Sequence, residues 1–390
     1  RSVSHPHGAH EVELLEQSPR RVLGGHNESM NVESLSPAPL PDLFRQVAPG
    51  YQVPDPFDAP GLRWGILGPG GIARTFARDV PAASNQLVTA VGSRSQARAN
   101  KFAEEFGLDA GRAYGSYDQL VEDPDIDIVY VATPHIRHQK DALLALRAGK
   151  PVLVEKAFAM SEQETREVFE TAADLKLFVM EGMWSRHLPH YAFMRSLLQS
   201  GRLGALRSVQ ADHGQSLRHV ARLVNPELGG GALLDLGVYP IHLAQMLLGI
   251  PSELLSASRL SDQGVDVSDV VVGSYPGATS VSSCQLDTLS PTVATLVFEK
   301  GLVYLQSQFY RPTRVDLRVD DVDSQDLSIV GTKHSTWDAR VPGGFQYQAA
   351  DAARSIAAGD LESTVVPWGA TLEVQRIMDT VLRNAGYVGK

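Results

Sequence analysis

Three residues in this 390-residue chain have the types and spacing for proton chemistry. Lys156 ends the run "VLVEK", and "GGGALLDLGVYPIHLAQ" carries Asp235, Tyr239 and His242 at i, i+4 and i+7. That spacing predicts one face of a helix, and the three polar side chains interrupt an otherwise apolar segment. Buried polar groups need a partner or a task. A tyrosine of ordinary pKa about 10 is drawn toward its phenolate by a nearby ammonium, and a carboxylate can orient and balance the pair. Lys156, Tyr239 and Asp235 are therefore candidates for moving a proton to or from an oxygen. Taken singly, a strand-end lysine reads as a surface charge, and a structural Tyr–Asp hydrogen bond competes for the helix pair.

These side chains need a scaffold, and the stretch "LRWGILGPGGIA" begins it. An apolar strand passes into a helix through Gly68, Gly70 and Ala73, the G-x-G-x-x-G/A spacing. Gly68 permits the tight turn, Gly70 lets a pyrophosphate approach the backbone, and Ala73 keeps the helix close to the sheet. Gly71 and Ile72 stand at the helix start, where free N–H groups and the positive dipole end favour phosphate. The context implies dinucleotide binding. The second strand ends in "GSRSQAR", with Ser93, Arg94 and Arg98 and no acid before Glu104. An NAD site places a carboxylate there for the ribose 2′-OH, whereas guanidinium groups suit a 2′-phosphate. NADP is the expected cofactor, with NAD the alternative and a solvated Arg94 the competing reading.

From residue 62 to about 185, short apolar strands alternate with helices, which means βαβ units and a parallel sheet. "VLVEK" puts Glu155 and Lys156 at that sheet's carboxyl edge, where ligands bind in open α/β folds. Beyond 185 the chain turns to extended segments rich in Val, Ser, Thr and aromatics, with "EKG" (299–301) as a tight hairpin turn. The expected fold class is α/β. An N-terminal Rossmann domain with a doubly wound parallel sheet precedes a C-terminal α+β domain with a large, mostly antiparallel open sheet. The boundaries expected are an extension over 1–60, the dinucleotide-binding domain over 61–185, and a substrate-binding and oligomerisation domain over 186–390. The last helix is expected to pack back on the first domain.

A net charge of -10 opposes a nucleic-acid or anionic-membrane partner. Cys284 is the lone cysteine, so no intrachain disulfide or thiol cluster forms, and a cytoplasmic location is expected. No run approaches the roughly 18 apolar residues of a membrane span. The 12 histidines include no helical pair supported by a carboxylate, so no metal is expected. Residues 1–38 read as an unstructured tail, and 41–60, with spaced prolines and aromatics, as an arm on a neighbouring surface. The chain opens on Arg1, which makes Met30 a candidate initiator and residues 1–29 a candidate tag or leader.

Together, "GILGPGGIA", "VYVATPHIRHQKDALLALRAGKPVLVEKAFA", "MEGMWSRHLP" and "GGGALLDLGVYPIHLAQMLLG" resemble the Gfo/Idh/MocA oxidoreductase family over residues 62 to 387. The likeness is greatest to its branch of dihydrodiol and NADP-dependent xylose dehydrogenases. The resemblance implies hydride transfer between a nicotinamide and a CH–OH carbon of a sugar, such as a pentose or other aldose, or of a cyclic trans-diol. It implies Lys156 beside the nicotinamide, Tyr239 as acid/base, and Asp235 as its support or as a structural residue. It puts Thr133, Pro134, His135 and His138 in the loop lining the nicotinamide ribose, His138 being equally readable as a plain helix residue. Trp184 is implied over the substrate, followed by Arg186. Arg207 is a candidate for a substrate hydroxyl, with a surface role equally open, and His242, His213 and Trp337 are candidate pocket residues. "EKA" stands where the family has "EKP". The resemblance also implies a homodimer or homotetramer. Two alternatives stay open: a non-catalytic NADP-sensing regulator, and an enzyme like glucose–fructose oxidoreductase that never releases its cofactor.

Overall fold

The computed structural model describes residues 35–321 and 331–387; the expectations for 1–34, Met30 among them, lie outside the described residues. Six parallel strands make the first sheet, in the order β3-β2-β1-β4-β5-β6. They are β1 (Arg63–Leu67), β2 (Leu87–Gly92), β3 (Ala113–Tyr114), β4 (Ile128–Val131), β5 (Val152–Glu155) and β6 (Val179–Gly182). Their near-continuous apolar sequences follow from burial on both faces. Trp64, Ile66, Tyr130 and Leu153 point into one cluster, while Leu67, Val129, Val131 and Val154 point into the other. The order reverses between β1 and β4, which opens a crevice at the carboxyl edge.

The helices begin and end where local chemistry directs. α2 (Gly71–Ala82) starts at the glycine loop, and α3 (Gln96–Phe106) closes on Gly107 in the left-handed conformation, φ 66°. α5 is His138–Arg147. α6 (Glu162–Leu175) is capped by the Ser161 hydroxyl, which accepts from Glu164 N at 3.2 Å. The return arm of this box reaches Met160 N at 3.0 Å rather than the cap's own N–H.

The second sheet has the order β14-β13-β12-β11-β7-β10-β9-β8. Its strands are β7 (Leu206–Gly214), β8 (Glu253–Leu260), β9 (Asp266–Tyr275), β10 (Ala278–Gln285), β11 (Ala294–Phe298), β12 (Gly301–Leu305), β13 (Arg314–Asp321) and β14 (Gly331–Asp338). β7 and β10 pair in parallel, and the other described pairs are antiparallel. Phe298 faces Gly301, so Glu299 and Lys300 form the tight hairpin. One face of this sheet covers α8 (Val238–Leu248) and the π-helical turn Leu233–Gly237 before it. α9 (Phe345–Ala358) lies against α2, and α10 (Trp368–Asn384) lies against α8 and α6. Trp368 stacks on Phe169 at 5.0 Å, and Asp379 accepts from Glu162 N at 2.7 Å.

Two sequence expectations change here. By length and composition Pro226–Leu248 is apolar enough to cross a membrane, yet 83% of its apolar window is buried inside the protein, because it is the core segment under the second sheet. The described part of the N-terminal arm packs on its own chain. In α1 (Asp42–Val47), Phe44 and Val47 are buried, and Phe44 meets Phe193 at 4.9 Å. Trp337 closes the same cluster and donates to Ala38 O at 2.7 Å, so it belongs to the core and not to a ligand pocket.

Candidate active site

A cleft of about 850 Å³ runs along the carboxyl edge of the first sheet, from the glycine loop to α8. Gly68 has φ 93°, and a Cβ there would lie 3.0 Å from Ala132 O, so the turn excludes other residues. At Gly70 and Gly71 a Cβ would meet nothing within 4 Å, which leaves open space over the start of α2. No side chain caps that helix. Ala73 is fully buried beneath the loop, and Ile72 is exposed at its rim. Ser93, Arg94 and Arg98 line the far end, and the acids lining the cleft, Glu155 and Asp235, are at the other. An open glycine cradle, unspent helix N–H groups and two guanidiniums fit the pyrophosphate and 2′-phosphate of NADP.

The loop after β4 brings Thr133, Pro134 and His135 to the middle of the cleft. The Thr133 hydroxyl is buried without a partner and is free for a ligand. Burial, then neighbouring His138, lowers His135 to a pKa of about 3, so its ring is neutral. His138 lies 2.8 Å from Ala157 O and 2.7 Å from Thr133 O through its two ring nitrogens. A neutral imidazole donates only one N–H, and burial favours that form, so His138 ties the two loops together through one carbonyl at a time.

At the end of β5, Glu155 accepts a short hydrogen bond from the Tyr130 hydroxyl and another from Lys156 N at 3.2 Å. Burial raises its carboxyl to about 7, against the pull of Tyr130 and Lys156. The Lys156–Ala157 peptide is cis. The Lys156 ammonium donates to Asp235 O at 2.7 Å and lies 3.4 Å from Asp235 Oδ1. Arg222 reaches the same Oδ1 at 3.0 Å. Burial alone would push the Asp235 carboxyl up, but Lys156 and Arg222 outweigh it and hold it well below the usual range.

Tyr239 stands next to this group, with Lys156 Nζ 5.1 Å from its ring centre. Its oxygen accepts from Trp184 Nε1 at 3.1 Å. Burial, and then the charge of Glu155, keep the phenol well above its ordinary value, the reverse of the pull toward phenolate that the sequence leads one to expect from Lys156. Aromatic rings wall the pocket: Trp184 lies flat on Phe345 at 4.5 Å, and Tyr310 is tilted against Tyr239 at 4.5 Å. His213 sits behind this wall, stacked on Tyr310 at 4.3 Å, and does not line the cleft.

The structure thus brings Lys156, Asp235, Tyr239 and Trp184 together and places three expected substrate residues elsewhere. Arg186 is buried and donates to Gln245 Oε1 at 2.9 Å, behind the cleft. His242 lies one turn beyond Tyr239, where its Nε2 faces Glu181 Oε2 at 3.1 Å in the interior. Arg207, on the outer side of β7, pairs with Glu299 and Gly277 O in solvent. Sequence reading missed Arg222, Tyr310, Arg311 and Phe345, which line the cleft from two loops and a helix start. None carries a local signal; six residues separate even Arg222 from the triple glycine that precedes Asp235.

Residues 62–183 match the oxidoreductase family with an NAD-binding Rossmann fold, and residues 191–335 match the GFO/IDH/MocA C-terminal domain. The chain is 33% identical to D-xylose 1-dehydrogenase (NADP(+)) of Hypocrea jecorina, over 83% of this chain and 92% of that protein. It is 34% identical to trans-1,2-dihydrobenzene-1,2-diol dehydrogenase of Danio rerio, over 84% and 98%. A crystal structure of a 3-ketoreductase from Actinomadura kijaniata with NADP and TDP-benzene superposes with a TM-score of 0.70, at 26% identity over 83% of this chain and 98% of that one.

Proposed function

The chain belongs to the GFO/IDH/MocA oxidoreductase family, and from that premise we propose that it transfers hydride between NADP and a CH–OH carbon of an aldose, a pentose foremost, or of a cyclic trans-diol. It is an NADP-dependent oxidoreductase of sugar or diol hydroxyls. The observation that carries the detailed reading is the convergence of Lys156, Asp235 and Tyr239 at one end of a cleft whose other end is a glycine cradle. When bound, the nicotinamide would supply or accept the hydride at the substrate carbon. Gly70, Gly71 and the first turn of α2 would hold the pyrophosphate, Arg94 and Arg98 the 2′-phosphate, and Thr133 the ribose or carboxamide.

Tyr239 manages the proton on the substrate oxygen. Its raised pKa keeps the phenol neutral, ready to donate to a carbonyl oxygen during reduction; in oxidation the same oxygen takes the alcohol proton only as the phenolate, the form that rising pH supplies. The Lys156 ammonium, fixed by Asp235, offers positive charge to that oxygen as it becomes anionic. The aromatic wall of Trp184, Tyr310 and Phe345 suits the apolar face of a ring and excludes water.

Absorbance at 340 nm, with NADP+ and a panel of aldoses and trans-diols, tests this reading beside Tyr239→Phe. Turnover of one class, abolished in the variant while NADPH still binds, supports it; equal turnover by both proteins removes Tyr239 from the chemistry. We also propose a homodimer or homotetramer in the cytoplasm, with no nucleic-acid or membrane partner. Leu255, Val272 and Val281 lie side by side on the outer face of the second sheet, suited to a second copy, while the single buried thiol and the net charge of -10 support the rest. Sedimentation of the purified protein reads the oligomer directly.

A further inference from the structure

The carboxylate of Asp235 carries two cations on one oxygen, Lys156 at 3.4 Å and Arg222 at 3.0 Å. Balancing Lys156 needs one carboxylate and no guanidinium. Arg222 therefore brings positive charge that the proton chemistry of Tyr239 does not require. A guanidinium has five N–H donors. Among the described residues the hydrogen bonds of Arg222 come to a single one, from Nη2 to Asp235. Its side chain is 42% exposed, and it lines the same cleft as Lys156 and Tyr239. The remaining donors face a space that substrate must enter, on a group already anchored and so losing little freedom on binding.

We propose that Arg222 is a specificity-determining residue that binds the hydroxyl on the carbon next to the one oxidised. This rests on the hydride-transfer reading above and adds the chemical class it selects: a vicinal diol. Lys156 and Arg222 meet on one carboxylate oxygen, so two neighbouring substrate oxygens can each meet one cation. The first takes Tyr239 and Lys156, and the second takes Arg222. An aldose oxidised at its hemiacetal carbon and a trans-1,2-diol share this pair of neighbouring hydroxyls, which lets one pocket accept both.

The test compares wild type, Arg222→Lys and Arg222→Met on trans-1,2-cyclohexanediol against cyclohexanol, and on D-xylose against its 2-deoxy analogue. NADPH fluorescence titration reports that each variant is folded and binds cofactor. Loss of the hold on Asp235 lowers turnover of every substrate. Loss of the second-hydroxyl contact lowers kcat/KM for the diol and for xylose by about 10- to 100-fold more, mainly through KM, with the lysine variant between. Where the mono-hydroxy compound turns over too slowly, its competitive inhibition constant replaces kcat/KM in the ratio. An unchanged ratio reduces Arg222 to a prop for Asp235 and overturns the assignment. Oxidation of none of these by wild type overturns the underlying reaction, and the assignment with it.

Discussion

Trp184 donates its indole N–H to the phenolic oxygen of Tyr239 at 3.1 Å, and the indole ring is itself clamped against Phe345 at 4.5 Å. With that lone pair taken, the Tyr239 O–H is left to point at a substrate oxygen. With Tyr239 as the proposed acid/base, the tryptophan aims its proton. Trp184→Phe keeps the stacking and removes the N–H, so kcat should fall about tenfold, the worth of one directed hydrogen bond of about 1.4 kcal/mol. NADP affinity should stay as in wild type. Steady-state kinetics beside a cofactor titration check both, and an unchanged kcat would mean that Tyr239 is aimed by something else.

The pH dependence follows from Tyr239 and Glu155 together. The phenol is held well above its ordinary value, first by burial and then by the charge of Glu155. Reduction consumes its proton, so the rate should stay level past the ordinary tyrosine range near pH 10, while oxidation should rise with pH there. Glu155 itself is raised from 4.5 to about 7, chiefly by burial. A raised carboxyl favours the folded state while neutral, so its stability contribution is full below pH 4.5 and is lost as pH rises through about 7. In Glu155→Gln that slope should vanish from denaturant unfolding measured at pH 5 and pH 8, and the alkaline limb of reduction should move down.

How far the site was legible depends on whether its parts are local. The glycine loop is one continuous turn, so Gly68, Gly70 and Ala73 announce it by spacing alone. Lys156 is marked by standing at a strand end, and Tyr239 by interrupting an apolar run. Arg222, Tyr310 and Phe345 reach the cleft from three distant stretches that only the second sheet and α9 bring together, and no short pattern can carry that. His242 shows the limit of a helical wheel: it shares the polar positions of Asp235 and Tyr239, yet a π-helical turn intervenes and its ring faces Glu181. The alternating charges of β13 resemble loop sequence, although Val315 and Leu317 fill the inner face.

Asp266 makes the placement of Asp235 testable. It accepts the N–H of Leu233, the first residue of the π-helical turn, at 2.7 Å. A Cβ on Gly231 would fall 2.1 Å from its other oxygen, so the backbone is packed against this carboxyl. Burial, and then the nearby Asp269, push Asp266 well above the usual carboxyl range, so the pair retains a proton. Its stability contribution is therefore present at low pH and lost as pH rises through the raised value. Asp266→Asn keeps an acceptor for Leu233 and a donor for Asp269; it should fold, retain activity and lose that slope. Asp266→Ala strands a buried N–H, which costs about 1–3 kcal/mol, and should lower kcat as Asp235 shifts. Denaturant titrations of both variants at two pH values separate the outcomes.

On the proposed reading, the glycine loop and the two arginines divide the cofactor between them. Gly70 has φ -84° and open space where a Cβ would go. Gly70→Ala should therefore leave the melting temperature unchanged yet weaken NADP and NAD alike, because the methyl occupies the place of the pyrophosphate. Gly68→Ala should instead lose stability before any ligand is added, through its φ of 93° and the 3.0 Å approach to Ala132 O. Arg94→Ala with Arg98→Ala touches neither turn nor cradle. It should weaken NADP by about 10- to 100-fold, the worth of charge-assisted bonds to a phosphate, and leave NAD affinity in place. Fluorescence titrations with NADPH and NADH beside thermal melts distinguish the three variants. If the NADP-to-NAD ratio of the double variant equals that of wild type, the 2′-phosphate is held elsewhere, and the end of β2 does not set the cofactor preference.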